Sequence, residues 1–247
     1  MKLSKANLSK PGGRTSNEDC VGCRKLTGKL ECFVVADGLG GHGGGGAASC
    51  LAVETVLDTF TDFPSISQSS LRMYLECAHR EIITRQAAKQ TENGMRSAIL
   101  VFCSDGRIAQ WAHVGDVRLY VFRAGALIFQ TKDHSVPQSL VFAGKITADK
   151  IRGHEDRNRL LRALGSPGKL QASVLENPFV MQKGDLFLIC SDGFWDHVTE
   201  LEMLLDWCKS LDLQDWLERL ELRLLQAAPA GHDNYSAIAL FADEAGD

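Results

Sequence analysis

The chain has 247 residues with ordinary apolar (45%) and charged (23%) fractions, and its net charge is −4, from 27 Lys and Arg against 31 Asp and Glu. That length admits one large domain or two small ones with a substantial core. A slightly acidic balance without like-charge runs argues against a nucleic-acid partner, which needs a basic footprint. No stretch approaches the roughly 18 apolar residues of a membrane span. The start, Met1-Lys2-Leu3-Ser4-Lys5, lacks the apolar core of a secretory signal.

From the N-terminus, a polar loop at Pro11-Gly12-Gly13-Arg14 precedes a strand at 31–36 that ends in Asp37-Gly38. A glycine-dense segment runs to Ser49, and two helical stripes follow: Val53, Val56, Leu57 and Phe60, then Leu71, Leu75, Ala78 and Ile82. Strands are predicted at 97–103, 107–114, 118–123 and 126–131, with turns such as Asp105-Gly106 between them. The stretch 132–170 is polar and irregular, carries Pro137, Gly144, Gly153 and Pro167, and predicts a flap or lid over about 132–165. A strand at 185–191 comes next. Thr199 with Glu202 then reads as a capping box opening a helix over 199–209. Leu213, Trp216, Leu217, Leu220 and Leu224 mark a last helix, and a strand at 235–241 closes the chain. Strands and helices come in blocks, and several strands are apolar on both faces. The reading is an α+β protein with sheets covered on each side, as one domain over 1–247.

Eight cysteines sit in apolar runs or helical stretches, where thiols behave as small hydrophobes, so a reduced, cytoplasmic protein is expected. Cys20 and Cys23 have no second close pair to complete a zinc site.

Three apolar runs end in an aspartate: Phe33 to Asp37, Trp111 to Asp116 and Leu186 to Asp192. A carboxylate at the end of a core strand is costly unless it is paired. Asp19 and Asp233 also stand beside turn residues or strand ends. If such groups converge, each pair ~4 Å apart costs about 4 kcal/mol at an effective dielectric of 20, so cations or trapped protons must accompany them. Carboxylate, carbonyl and water ligands select Mg²⁺, Mn²⁺ or Ca²⁺, whereas zinc would want His or Cys. Arg14-Thr15-Ser16-Asn17-Glu18-Asp19 places an arginine near this group, either to grip a phosphate or as part of a solvated loop. Between Asp37 and Ser49 the glycines permit close backbone approach to a ligand, but no Gly-Lys-Ser/Thr follows, which excludes a P-loop. His42 within it reads either as a proton donor or as a histidine bonding the backbone at the helix start.

In order and spacing these pieces resemble the metal-dependent type 2C protein serine/threonine phosphatases, the PPM family, and its compact bacterial members above all. Arg14-x-x-Asn17-Glu18-Asp19, Asp37-Gly-x-Gly-Gly-His42, Gly115-Asp116-Val117-Arg118, Thr131 to Ser135, Arg162 to Gly165, Cys190 to Gly193 and Asp233-Asn234 carry the resemblance across residues 14–241. It implies a four-layer αββα sandwich of two mostly antiparallel sheets flanked by helix pairs. It implies that Asp37 bridges two ions, Mn²⁺ or Mg²⁺, with the Gly38 carbonyl joining one of them. Asp192 and Asp233 would hold the second ion, Asp19 and Glu18 would act through water, and Asp116 would serve a third, weaker ion. Arg14 would bind the substrate phosphate. The implied activity is hydrolysis of phosphoserine and phosphothreonine in phosphoproteins by direct attack of a metal-bridging hydroxide, reversing a bacterial Ser/Thr kinase, by a monomer. The sequence departs from the family pattern at Val117, where serine is usual, and at Leu39, where animal members carry a histidine assigned as general acid. Gly94 to Ser97 and the flap match loosely. The competing reading is a catalytically silent regulatory module that binds phosphoproteins; loss of a core aspartate would mark it, and none is lost. The Asp-x-Asp motif of dehalogenase-like phosphatases is missing.

Overall fold

The central strands are apolar on both faces, and that pattern sets the layering. The computed structural model describes residues 1–40, 44–88 and 94–244. In chain order these form β1 (Lys2–Lys10), β2 (Asp19–Lys25), β3 (Glu31–Leu39), α1 (Gly44–Asp62), α2 (Gln68–Ala88), β4 (Arg96–Ser104) and β5 (Ile108–Val114). Then come β6 (Arg118–Arg123), β7 (Ala126–Gln130), α3 (Val136–Phe142), β8 (Ser173–Val174), β9 (Phe179–Val180) and β10 (Leu186–Cys190). The chain finishes with α4 (Asp192–Trp195), α5 (Glu200–Trp207), α6 (Leu213–Ala227) and β11 (Tyr235–Asp243). One sheet has the order β1-β11-β10-β6-β7; the other is β2-β3-β4-β5, with β8 and β9 both pairing β5. Every pairing is antiparallel.

Successive side chains of a strand point to opposite faces. On β3, Phe33 and Val35 enter a core between the two sheets, while Cys32, Val34 and Ala36 enter a second core under α1 and α2. On β10, Phe187 and Ile189 face the same middle core; Leu186, Leu188 and Cys190 face a third, closed by α4, α5 and α6. Three apolar interfaces thus separate four layers, helix–sheet–sheet–helix, as the α+β reading expects. In the middle layer Phe102 stacks on Trp111 at 6.1 Å and meets Phe187 edge-on at 5.2 Å. Each such fully buried side chain contributes about 1.5–3 kcal/mol. This packing locks one sheet against the other, so strand ends from both meet at a fixed spacing.

All seven predicted strands are present with ends within three residues, the largest difference being β3, which runs on from 36 to Leu39. The capping box forms as read, Thr199 Oγ1 accepting from the Glu202 amide and the Glu202 carboxylate accepting from the Thr199 amide. The strand reading omits β1 and β2. β1 carries three lysines, buries only Leu3, and takes its place by pairing β11 along its whole length. Polar edge strands of this kind leave no apolar signal in sequence. All eight thiols are free. Cys20 and Cys23 stand an odd number of residues apart on β2, so they face opposite sides and cannot share a ligand.

Candidate metal and phosphate site

Antiparallel register assembles the acidic residues from positions far apart in sequence. Asp19, the first residue of β2, lies directly opposite Asp37 on β3. Asp116 occupies the turn that carries the chain from β5 in one sheet to β6 in the other. Asp192 is the first residue of α4, immediately after β10, and Asp233 precedes β11, which pairs β10. All five predicted aspartates therefore fall at one end of the sandwich.

Backbone contacts fix this end. Glu18 donates its amide to Asn234 Oδ1 at 2.7 Å, and its carbonyl accepts from the Gly38 amide at 3.1 Å and from Ser49 Oγ at 2.5 Å. Asn234 Nδ2 reaches the carbonyls of Pro11 and Ser16, both at 2.8 Å, tying the Arg14 loop to β11. The start of α1 abuts the end of β3 so closely that a Cβ on Gly45 would lie 2.5 Å from Glu18 Oε2 and 2.7 Å from the Gly38 carbonyl oxygen. Glycine at 45 leaves that carbonyl and that carboxylate uncovered, the close approach read from the glycine segment.

The carboxyl groups perturb one another strongly. Burial pushes Asp37 well above the usual carboxylate range, and the charges of Asp192, Asp19, Asp116 and Asp233 push it further. Asp192 rises to about 7, from burial first and then from Asp196, Asp233 and Asp19; a hydrogen bond from Asp37 offsets part of the rise. Asp19 rises to about 6, again chiefly by burial, although Ser191 Oγ donates to its Oδ2 at 2.7 Å. Asp116 stands well above its ordinary value through burial, then Asp192 and Asp133. Burial is the leading cause in each case, and the charges of neighbouring carboxylates add to it.

At the mouth of the site, Arg14 Nη2 lies 3.2 Å from Asp233 Oδ2, with both side chains about half exposed. A cleft of about 150 Å³ opens there, lined by Arg14, Arg157, Asp192, Asp196, His232 and Asp233 among others. Arg157 comes from the flap and bonds Asp196 at 2.8 Å.

The donor set suits a hard dication. It is all oxygen: five carboxylates, Glu18 and the Gly38 carbonyl. Asp116 Oδ1 is buried and has no hydrogen-bond partner. Among the described residues, however, no group of three or more His, Cys, Asp or Glu side chains is gathered tightly enough to hold an ion as it stands. Asp19, Asp37, Asp116, Asp192 and Asp233, with Glu18, could hold dications.

His113 and His134 are occupied elsewhere, whereas His232 and His197 line the cleft itself. His113 and His134 stack at 4.8 Å, and burial lowers both below the ordinary imidazole range, His134 to about 3. His113 bonds the Lys132 carbonyl and His134 accepts from the Gly115 amide, so both hold the flap base. His42 lies outside the described residues. Sequence reading quoted Ser191 and Asn234 within its motifs without giving them a role. Nothing local reveals one, because Ser191 serves Asp19 from 172 positions away and Asn234 serves Glu18 from 216.

The family profile described as Protein phosphatase 2C matches residues 12–228. The chain belongs to the protein phosphatase 2C family. The serine/threonine phosphatase stp of Listeria monocytogenes is 32% identical over 195 residues, which cover 77% of this chain and 77% of that one. The fold also superimposes on the crystal structure of the Mycobacterium tuberculosis serine/threonine phosphatase PstP/Ppp with a TM-score of 0.85 at 27% identity, covering 98% and 99% of the two chains. A structure of the PstP catalytic domain in complex with two manganese ions gives 0.83 at 26% identity, covering 98% and 99%.

Proposed function

We propose that this chain is a metal-dependent protein serine/threonine phosphatase, a single catalytic domain acting on phosphoserine and phosphothreonine in phosphoproteins. The observation that carries the reading is Asp37: one carboxyl group feels four others from both sheets, beside an arginine at the opening. Bound dications, Mn²⁺ or Mg²⁺, supply neutralisation of the phosphoryl oxygens and an activated water at neutral pH. Phosphate monoesters hydrolyse so slowly unaided that charge neutralisation of this kind is indispensable.

The chain's own residues divide the remaining work. Asp37, with the Gly38 carbonyl beside it, would lie between two ions; Asp192 and Asp233 would hold one of them. Asp19 and Glu18 would hold water in place, and Asp116 would serve a third position. Arg14 is free to exchange its exposed contact with Asp233 for the phosphate of the substrate, two of whose oxygens match its planar fork of donors. Ser191 steadies Asp19 by donating to it. The leaving alkoxide takes a proton from ordered water or a nearby acid. A cytoplasmic monomer reversing a Ser/Thr kinase is the setting we assign.

Purified protein should hydrolyse a phosphothreonine peptide upon addition of Mn²⁺ or Mg²⁺ and lose that activity in chelator. Failure to hydrolyse it with either ion would overturn the reading in favour of a silent binding module.

A further inference from the structure

The flap and Asp116 are joined through one indole. Trp195, fully buried at the end of α4, donates its Nε1–H to the Asp116 carbonyl at 2.9 Å. Arg118, two residues after Asp116, lays its guanidinium 3.3 Å from the Trp195 ring centroid. The same guanidinium forms a two-pronged ion pair with Asp133 at the flap base, at 2.8 and 2.6 Å, with both side chains almost wholly buried. From the middle of the flap, Arg152 donates to the Trp195 carbonyl at 2.8 Å, to the Val198 carbonyl at 3.3 Å and to Glu200 at 2.8 Å, and it stands 6.0 Å from the ring centroid. Asp192 opens the four-residue helix that ends in Trp195. Asp116 itself has little freedom: Gly115 adopts a φ of 95°, and a Cβ there would lie 2.4 Å from that of Ala98. The direction of the Asp116 carboxylate therefore depends on where the indole holds its carbonyl, and the indole is held in turn by the flap.

We propose that Trp195 is a positioning residue: its N–H aims the Asp116 carboxylate into the site, and Arg152 makes that aim depend on how the flap is seated. This rests on the metal-site reading above. A neutral hydrogen bond between buried groups is worth enough to shift a dependent equilibrium roughly tenfold when it is removed. A lever of this kind couples two sites by their shared element, so its two ends should not act independently.

The test is calorimetric titration of Mn²⁺ into metal-stripped protein, with Asp116→Asn identifying the binding step that depends on Asp116. Trp195→Phe keeps the stacked ring and loses the donor; it should weaken that step about tenfold and leave tighter steps within about twofold. Raising Mn²⁺ should return its turnover of p-nitrophenyl phosphate close to that of the unmodified protein. Arg152→Met, far from the ligands, should weaken the same step about threefold, and the double variant should be no worse than Trp195→Phe alone. An unchanged weak step in Trp195→Phe, or effects that multiply in the double variant, would overturn the lever. If Trp195→Phe does not fold, as judged by circular dichroism, Arg152→Met decides alone, and an unshifted step refutes the proposal. Unmodified protein that binds no Mn²⁺ at all would instead overturn the underlying metal-site reading, and the lever with it.

Discussion

The carboxylates at the strand ends and the flap beside them are held by different forces. Asp19 and Asp37 are placed by main-chain register and Asp192 by the strand that precedes it, so their positions follow from three apolar cores. The flap has a short helix, α3, one 3-10 turn over Ala148–Lys150, and two isolated bridges, Ser97 to Leu164 and Ser135 to Leu160. It is fastened instead by arginines: Arg118 to Asp133, Arg152 to Glu200 and Arg157 to Asp196. The lesson is a division of labour. Repelling charges need a backbone that cannot relax, whereas the flap rests on side-chain contacts, one deeply buried and two partly exposed.

The sharpest way to break this comparison is to remove charge where the backbone is rigid. Asp37→Asn and Asp192→Asn should each cut turnover of a phosphothreonine peptide by about three orders of magnitude or more, since charge neutralisation at the reacting centre is lost. Melting of the metal-free variants should be unchanged or slightly higher than that of the parent, because each removes a repelling carboxylate. Retained turnover in both variants would refute the assigned roles. Next in size is Asp133→Ala in the flap base, which strands the buried Arg118 guanidinium. Urea unfolding should register a loss of about 3–5 kcal/mol, and a loss below 1 kcal/mol would mean that the flap arginines carry little.

Proton linkage gives a third contrast. Asp19 and Asp192 hold their protons more tightly in the folded chain, at about 6 and about 7 against an ordinary value of 3.8. The folded state therefore binds more protons than the unfolded one over that window. Metal-free protein should be most stable near pH 4 and lose stability as pH rises to about 7. Saturating Mn²⁺ should abolish the decline, as differential scanning fluorimetry across that range would register. The smallest expected effect is that of Ser191→Ala. It removes the hydroxyl that donates to Asp19, so stability should fall by about 1 kcal/mol and Mn²⁺ affinity by about tenfold. An unchanged isotherm would assign Ser191 to the backbone alone, through the bond its oxygen accepts from the Ser236 amide.

Much of the rigid region was legible in the sequence. Asp37, Asp116 and Asp192 announced themselves because a charge after an apolar run is out of place, and the two-faced strands predicted covered sheets. Asp19 and Asp233 gained meaning only beside the other three, since each alone reads as an ordinary turn residue. β1 was silent for a physical reason: an edge strand gains its stability from hydrogen bonds to β11, not from burial, and Lys-rich residues suit it. The flap anchors were silent too. Arg152 and Arg157 look like surface charges until Trp195 and Asp196, some forty positions later, come to lie beneath them.

The central claim is that carboxylates from both sheets exchange protons for dications. Titrating Mn²⁺ into metal-stripped protein near pH 7, in two buffers of different ionisation enthalpy, measures both events together. The account predicts saturable binding of at least two ions with release of about one to two protons, because burial raises the proton affinity of Asp37 and Asp192. Binding without proton release, or no binding at millimolar Mn²⁺, would contradict it.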